Sequence, residues 1–259
     1  MSWLRSHDKG PIRWLTIDRP QRKNAIPFEG WGELCDAFRE FESSAARVLI
    51  IRGESGDFCA GADLDPSDRK EMPSVVDRHR RMKTVGEAAI ALYRLTKPTI
   101  AAVDGVAVGA GMNLALGCDV VVCSERARFS EIFVRRGLTL DFAGSWLLPR
   151  VVGMQRAREL ALSGRILDAE EAVTLGIAME AVALDRLYER AEEIAHSLLS
   201  GAPLAQMLIK KALASSLQTS FADAVASEGH AQAVALGTED AQEGFASFIE
   251  KRDPNWKGR

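Results

Sequence analysis

The chain has 259 residues, 47% hydrophobic and 27% charged, with 33 Lys+Arg against 36 Asp+Glu and a formal net charge of −3. That composition can bury a sizeable core, which excludes intrinsic disorder and allows one large domain or two small ones. There is no basic excess and there are only 2 Tyr, so nucleic acid is not expected as a partner.

The N-terminal MSWLRSHDKG has no apolar run, and no secretory signal is expected. Residues 99–116 form the longest apolar stretch, but Asp104, Asn113 and several glycines interrupt it, so no membrane span is expected. Cys35, Cys59, Cys118 and Cys123 show no metal-ligand spacing, and His7, His79, His196 and His230 form no HExxH-like pair. The expectation is therefore no metal, reduced thiols and a cytoplasmic protein.

In chain order, Ile12–Ile17 reads as a strand ending at Asp18-Arg19-Pro20. Phe28, Trp31, Leu34, Phe38 and Phe41 then recur at helical spacing. Val48–Ile51 is a continuous apolar run, which suits a strand covered on both faces. Residues 66–83 are densely charged and read as a solvated segment leading into a helix that reaches Leu95. Ile100–Val103 is a further strand, residues 106–116 pass from glycine-rich to helical, and Asp119–Ser124 is another buried strand. The second half is mainly helical: Ser145–Pro149 and Gln155–Leu162 separated by Val152-Gly153, then a helix capped by Asp168 with Glu171 three residues on. Leu184–Leu199, Pro203–Leu217 and Ala222–Ile249 follow as alanine-rich amphipathic helices. Strand–helix alternation predicts an α/β fold. The composition shift near residue 200 divides it into a core of 1–200 and a helical subdomain of 201–259.

Two small-residue segments follow strands: Phe58-Cys59-Ala60-Gly61-Ala62-Asp63-Leu64 and 104–114, DGVAVGAGMNL. Missing side chains let a ligand approach main-chain N–H groups. A helix starting near Ala110 would aim its free N–H groups at such a ligand, and two converging donors would make an oxyanion hole. Tight strand–helix packing explains the glycines equally well. A nucleotide loop is a weaker reading, because the third glycine of the dinucleotide fingerprint and any GxxxxGK[ST] are missing.

Taken together and in order, Asp18-Arg19-Pro20, Lys23-Asn24-Ala25, FCAGADL, AAVDGVAVGAGMNLALGCD and GSWLLPRVVG resemble the crotonase superfamily, the enoyl-CoA hydratase/isomerase family, over roughly residues 12–185. The resemblance implies a crotonase-like ββα spiral with a helical C-terminal trimerisation region, and a homotrimer or dimer of trimers. It also implies an acyl-CoA substrate, with coenzyme A entering only as part of it and no further cofactor. The amides of Ala62 and Ala110 would form the oxyanion hole. Asn24, Ala25, Ala60, Asp63 and Leu64 match segments that lie along coenzyme A, mainly through their main chain, and Asp63 is equally readable as a structural cap. The charged segment 66–83 would cover part of the pocket.

The acid–base positions depart from the family pattern. The two glutamates of the hydratases map to Asn113 and Phe133, both placed at the substrate. Glu131, two residues from Phe133, reads as an exposed salt-bridge or capping residue. Asp141 stands where the isomerase branch carries a proton-shuttling Asp, and where aroyl-CoA dehalogenases carry a nucleophile. It is readable as the base, or as the N-cap of the helix containing Trp146 and Leu147. If Phe133, Phe142 and Trp146 line the pocket, desolvation should raise the Asp141 pKa. Isomerisation of an unsaturated acyl-CoA through Asp141 is the leading expectation. The alternatives are a hydratase-type lyase, an aspartyl-nucleophile dehalogenase or hydrolase, and a non-catalytic acyl-CoA binding protein.

Overall fold

The computed structural model describes residues 2–64 and 74–259. Its frame is a sheet of β1 (Leu4–Lys9), β2 (Ile12–Ile17), β3 (Val48–Gly53), β4 (Thr99–Val103), β6 (Val120–Ser124) and β8 (Glu180–Val182), side by side in that order. β1 pairs antiparallel with β2, and the other pairings are parallel. Alternation of side chains explains why the central strands read as unbroken apolar runs. Leu15, Ile17, Leu49, Ile51, Ala101 and Val103 face one core, while Ile12, Trp14, Val48, Ile50, Ile100 and Ala102 face another.

The first core is filled by α1 (Gly30–Ser43), α2 (Val75–Tyr93) and α3 (Ala110–Leu116), with Trp31, Leu34, Cys35, Phe38 and Phe41 forming the buried stripe of α1. The second is closed by α6 (Leu187–Leu199) through Leu187, Ala191, Ile194 and Ala195.

A second, shorter ladder stacks beside the main sheet in the same order of turns. Ile26 bridges Ala62, Cys59 bridges Ala107, and β5 (Val106–Val108) pairs with β7 (Arg128–Ser130), all parallel. Each turn therefore runs from a long strand to a short extended segment and then to a helix, which is the expected ββα spiral. The turns approach so closely at this ladder that some positions admit only glycine. A Cβ on Gly111 would strike the Cys59 carbonyl, and one on Gly61, itself at φ +83°, would lie 2.9 Å from Val108 O.

α4 (Gly144–Ser163) is bent at Gly153, whose φ of 76° and ψ of 159° leave the helix where the sequence places a break. α5 (Ala169–Thr174) starts as expected, with the Asp168 side chain accepting from Glu171 N at 2.9 Å. α7 (Pro203–Ser215), α8 (Phe221–Leu236) and α9 (Glu239–Glu250) complete the chain.

Two expectations are corrected and one strand is added. Residues 222–249 are two helices, because the chain breaks at Gly237 and Thr238 caps a new helix by accepting from Ala241 N at 3.0 Å. β1, with its run of charged residues, was not foreseen; it is an edge strand whose exposed side chains carry no apolar alternation. α1 starts at Gly30 rather than Phe28, whose ring instead lies 4.4 Å beneath the Arg81 guanidinium. Of the charged segment 66–83, residues 66–73 lie outside the described residues, and so does their expected cover over the pocket; from Val75 onward the chain is α2, capped by Ser74.

Gly111→Ala tests the contact between turns. Forcing a methyl group against a main-chain carbonyl should lower unfolding stability by about 1–3 kcal/mol, measured by denaturant titration.

Candidate active site

Ala62 and Ala110 lie on neighbouring turns of the short ladder. The residues flanking the Ala62 amide are pinned to Ile26: Ile26 N donates to Gly61 O at 2.8 Å, and Asp63 N donates to Ile26 O at 2.8 Å. In a parallel bridge of this kind the N–H of the central residue points to the opposite side, and the Ala62 N–H donates to no described residue. Ala110 is the first residue of α3, so its N–H has no acceptor within the helix. Gly61 connects the two, since a Cβ built on it would lie 3.4 Å from Ala110 N. Two main-chain donors without an acceptor among the described residues are thus held by a rigid scaffold.

One helical turn beyond Ala110, the fully buried Asn113 donates through Nδ2 to the main-chain O of Asp141 at 3.0 Å and to Glu131 Oε2 at 3.4 Å. Gly144, which opens α4, has to be glycine because a Cβ there would run into the Asn113 side chain.

Asp141 immediately precedes two non-glycine residues in the left-handed region, Phe142 at φ 45° and Ala143 at φ 62°. Such backbone is costly and clusters at functional sites. Here it turns the chain sharply from Asp141 into α4. Asp141 does not cap that helix: the N-cap is Ala143, without a side-chain hydrogen bond, and the Asp141 contribution is its main-chain O, which accepts from Gly144 N at 2.9 Å. Phe142 and Phe133 are buried, while Trp146 is half-buried. The Phe133 ring packs over Gly109, 3.5 Å from where a Cβ would stand. Burial pushes the Asp141 carboxyl up to about 6.

Glu131 corrects the sequence reading. It is 1% exposed and makes no salt bridge among the described residues; it stands at the N-cap of the 3-10 turn Ile132–Arg136, in keeping with the capping reading, but its side chain makes no capping hydrogen bond. It directly follows β7 and is buried, as Phe129 and Phe133 on either side of it in sequence are, although Arg135 and Arg136 follow it closely. Burial pushes its carboxyl up to about 8, reinforced by the charge of Asp141 and partly offset by the Asn113 hydrogen bond. Asn113 Oδ1, Glu131 Oε1 and Asp141 Oδ1 are buried without a hydrogen-bond partner; among the described residues only Trp31 Nε1 shares that condition. Buried polar atoms are normally paired, so three unpaired ones around one amide mark a site built for the polar groups of a ligand.

The segments matched to coenzyme A are tied to one another. Asn24, at φ 56°, is wholly buried; its Oδ1 accepts from Arg19 N at 2.8 Å and its Nδ2 donates to Glu54 O at 2.8 Å. Its side chain is therefore engaged within the protein. Asp63 pairs with Arg19 at 2.8 Å, Arg19 also donates to Ala25 O at 2.8 Å, and Ala60 N donates to Lys23 O at 3.0 Å. Leu64 is 51% exposed at the end of this loop. A cavity of about 430 Å³ begins at Phe142 and Ala143 and continues between α2 and α4 past Ile90, Tyr93 and Trp146. The cysteines are free and buried, and no cluster of metal-ligating residues occurs among the described residues. Likewise, no helix among them is long and apolar enough to cross a membrane.

A family model described as enoyl-CoA hydratase/isomerase matches residues 8–259. The 1,2-epoxyphenylacetyl-CoA isomerase of Escherichia coli is 33% identical over 261 residues, covering 100% of both chains. The short-chain-enoyl-CoA hydratase of Clostridium acetobutylicum is 34% identical, covering 94% of this chain and 93% of its own. Among solved structures, an enoyl-CoA hydratase from Bacillus anthracis superposes with a TM-score of 0.94 at 30% identity, covering 100% of both chains.

The half-buried Asp141 makes the fold pH-sensitive. Its native pKa lies above the unfolded one, so the stability it contributes is complete below the ordinary Asp range and is lost as pH rises through about 6. Asp141→Asn should therefore be more stable than the parent at neutral pH, by about 1–3 kcal/mol, and nearly equal to it in acid. Denaturant midpoints across pH measure both.

Proposed function

The chain belongs to the enoyl-CoA hydratase/isomerase family, and on that premise we propose that it isomerises an unsaturated acyl-CoA, with Asp141 as the proton shuttle. The observation that carries this reading is the placement of the half-buried Asp141 carboxyl, its Oδ1 buried without a partner, on the same scaffold as two amides without an acceptor among the described residues. In the proposed step, ionised Asp141 takes a proton from C2 of a 3-enoyl thioester. The C–H electron pair moves into the carbonyl and forms a dienolate, whose oxygen accepts from the Ala62 and Ala110 amides. Asp141 then returns the proton to C4, leaving the double bond between C2 and C3. Aligned donors stabilise that charge as it develops, by about 2.7–4 kcal/mol each. The raised proton affinity of Asp141 suits it to abstract and return a proton near neutrality.

Asn24, Ala25, Ala60, Asp63 and Leu64 would meet coenzyme A through their main chain, which agrees with the internal engagement of the Asn24 and Asp63 side chains. The acyl chain would run past Asn113 and Phe133 into the cavity beyond Phe142. No cofactor other than the coenzyme A of the substrate takes part in this scheme. A hydratase reading is favoured by one observation, the second buried carboxyl at Glu131, since hydration uses two groups to hold and activate water. We further propose a trimer or dimer of trimers, supported by Phe221, Phe248 and Ile249 on α8 and α9, which are 87%, 84% and 78% exposed. A reducing, cytoplasmic setting agrees with the buried free thiols.

The decisive assay follows conversion of a 3-enoyl-CoA to the conjugated 2-enoyl thioester. Asp141→Asn should lose about 10²–10⁴-fold in kcat, and undiminished turnover would rule Asp141 out as the base. Wild-type kcat/KM should fall as pH drops through about 6, where Asp141 becomes protonated. Ala110→Pro offers an independent test. Proline lacks the N–H but is tolerated at the first position of a helix, so kcat should fall about 10²–10³-fold while the melting temperature is retained.

A further inference from the structure

Proton transfer through Asp141 leaves Glu131 without a task, yet Glu131 is the most enclosed carboxyl in the site. We propose that Glu131 is a positioning residue for Asp141: it stays a neutral carboxylic acid in the working enzyme, anchors Asn113 and through it the Asp141 main chain, and so confines the site to a single negative charge. This rests on the reading of Asp141 as the base.

The geometry supports each part. An amide nitrogen offers two hydrogens, and Asn113 Nδ2 directs them to Glu131 Oε2 at 3.4 Å and Asp141 O at 3.0 Å. The carbonyl of Asp141 can only accept, which settles the orientation of the amide. Displacing the Glu131 carboxyl would therefore free one side of the amide that holds Asp141.

The charged groups around Glu131 explain its neutrality. From α3 it meets only the uncharged Asn113, and from the loop before α4 it meets Asp141, which is anionic when ionised. Ser130, the last residue of β7 and its neighbour in the chain, donates to Gly164 O at 3.0 Å. Arg135 on the following turn donates to Ser163 O at 3.0 Å, and Arg165 is held by Glu159 and Glu171. No cation faces the carboxyl among the described residues, so burial favours its protonated form.

A single negative charge matters because the reaction creates another. With Glu131 neutral, the dienolate forms beside an Asp141 that has just been neutralised by the proton it took. With both carboxyls ionised, a buried negative charge would persist beside the dienolate. The pair should lose its protons in two macroscopic steps, near 6 and near 8, the first centred on Asp141. Activity should fall on either side of that window.

Two measurements on the full-length protein test this. The first is infrared spectroscopy across pH with isotope-labelled glutamate. The wild type should show the C=O stretch of a neutral glutamic acid at neutral pH, titrating near 8, and Glu131→Gln should lack it. The second is the pH profile of isomerase kcat/KM. Glu131→Gln, neutral and of similar shape, should stay active at neutral pH but lose the alkaline limb, while Glu131→Ala should lose about 10–100-fold in kcat through misplacement of Asp141, with a smaller change in KM. Absence of the band, or an alkaline limb unchanged in Glu131→Gln, would overturn the proposal. So would a folded but inactive Glu131→Gln, which would make Glu131 itself a proton donor. Should Glu131→Gln not fold, the labelled wild-type band and its titration decide the matter. Failure of the Asp141 reading would show differently, as full turnover by Asp141→Asn with the glutamic acid band still present, and it would remove the positioning role with it.

Discussion

The site depends on one contact, the main-chain approach between successive turns of the spiral at the short ladder. Gly61 lies against the Val108 carbonyl and the Ala110 amide, and Gly111 lies against the Cys59 carbonyl. Any side chain at these glycines would push the turns apart. Because they touch, the amides of Ala62 and Ala110 are held on adjacent turns by sheet pairing rather than by flexible loops. Their donor strength comes from what surrounds them: bridge geometry on one turn and a helix start on the next leave both N–H groups without an acceptor among the described residues. Such donors need no reorganisation when charge develops on a ligand oxygen.

The acidic half of the site is built on the opposite principle. There, groups that would ionise in water are held without a facing counter-charge among the described residues. Asn113 joins them through its amide, and the left-handed pair Phe142-Ala143 turns the chain so that Asp141 faces inward while α4 departs. Neutral donors at one side and two carboxyls of different proton affinity at the other suit chemistry that moves a proton next to a thioester carbonyl. A largely apolar cavity lined by Ile90, Tyr93, Phe142, Ala143 and Trp146 adjoins the turn that carries Asp141.

The loops proposed to meet coenzyme A are shaped from within. Arg19, Asn24 and Asp63 bind one another and the neighbouring main chain, so their side chains shape two loops. A shaped main chain can grip a long, polar cofactor arm without relying on exposed charges, in keeping with the modest net charge of −3.

The amino-acid order by itself determined the α/β alternation, the doubly covered strands, the break at Gly153, the Asp168 cap and the two glycine-rich segments, because each is written in local periodicity or in a residue that only one backbone shape accommodates. The family resemblance pointed to Ala62, Ala110 and Asp141. Only the tertiary structure decided the rest. The split between α8 and α9 turned on a cap that an alanine-rich run conceals, and β1 exists because a neighbouring strand supplies its partner. Above all, Glu131 sits in a sequence rich in charge, Glu131 to Arg136, and reads as solvated. Its burial follows from its place where the chain leaves β7, with Asn113 of α3 and Asp141 beside it, and the protonation of a carboxyl is set by which groups surround it in space, not by its neighbours along the chain.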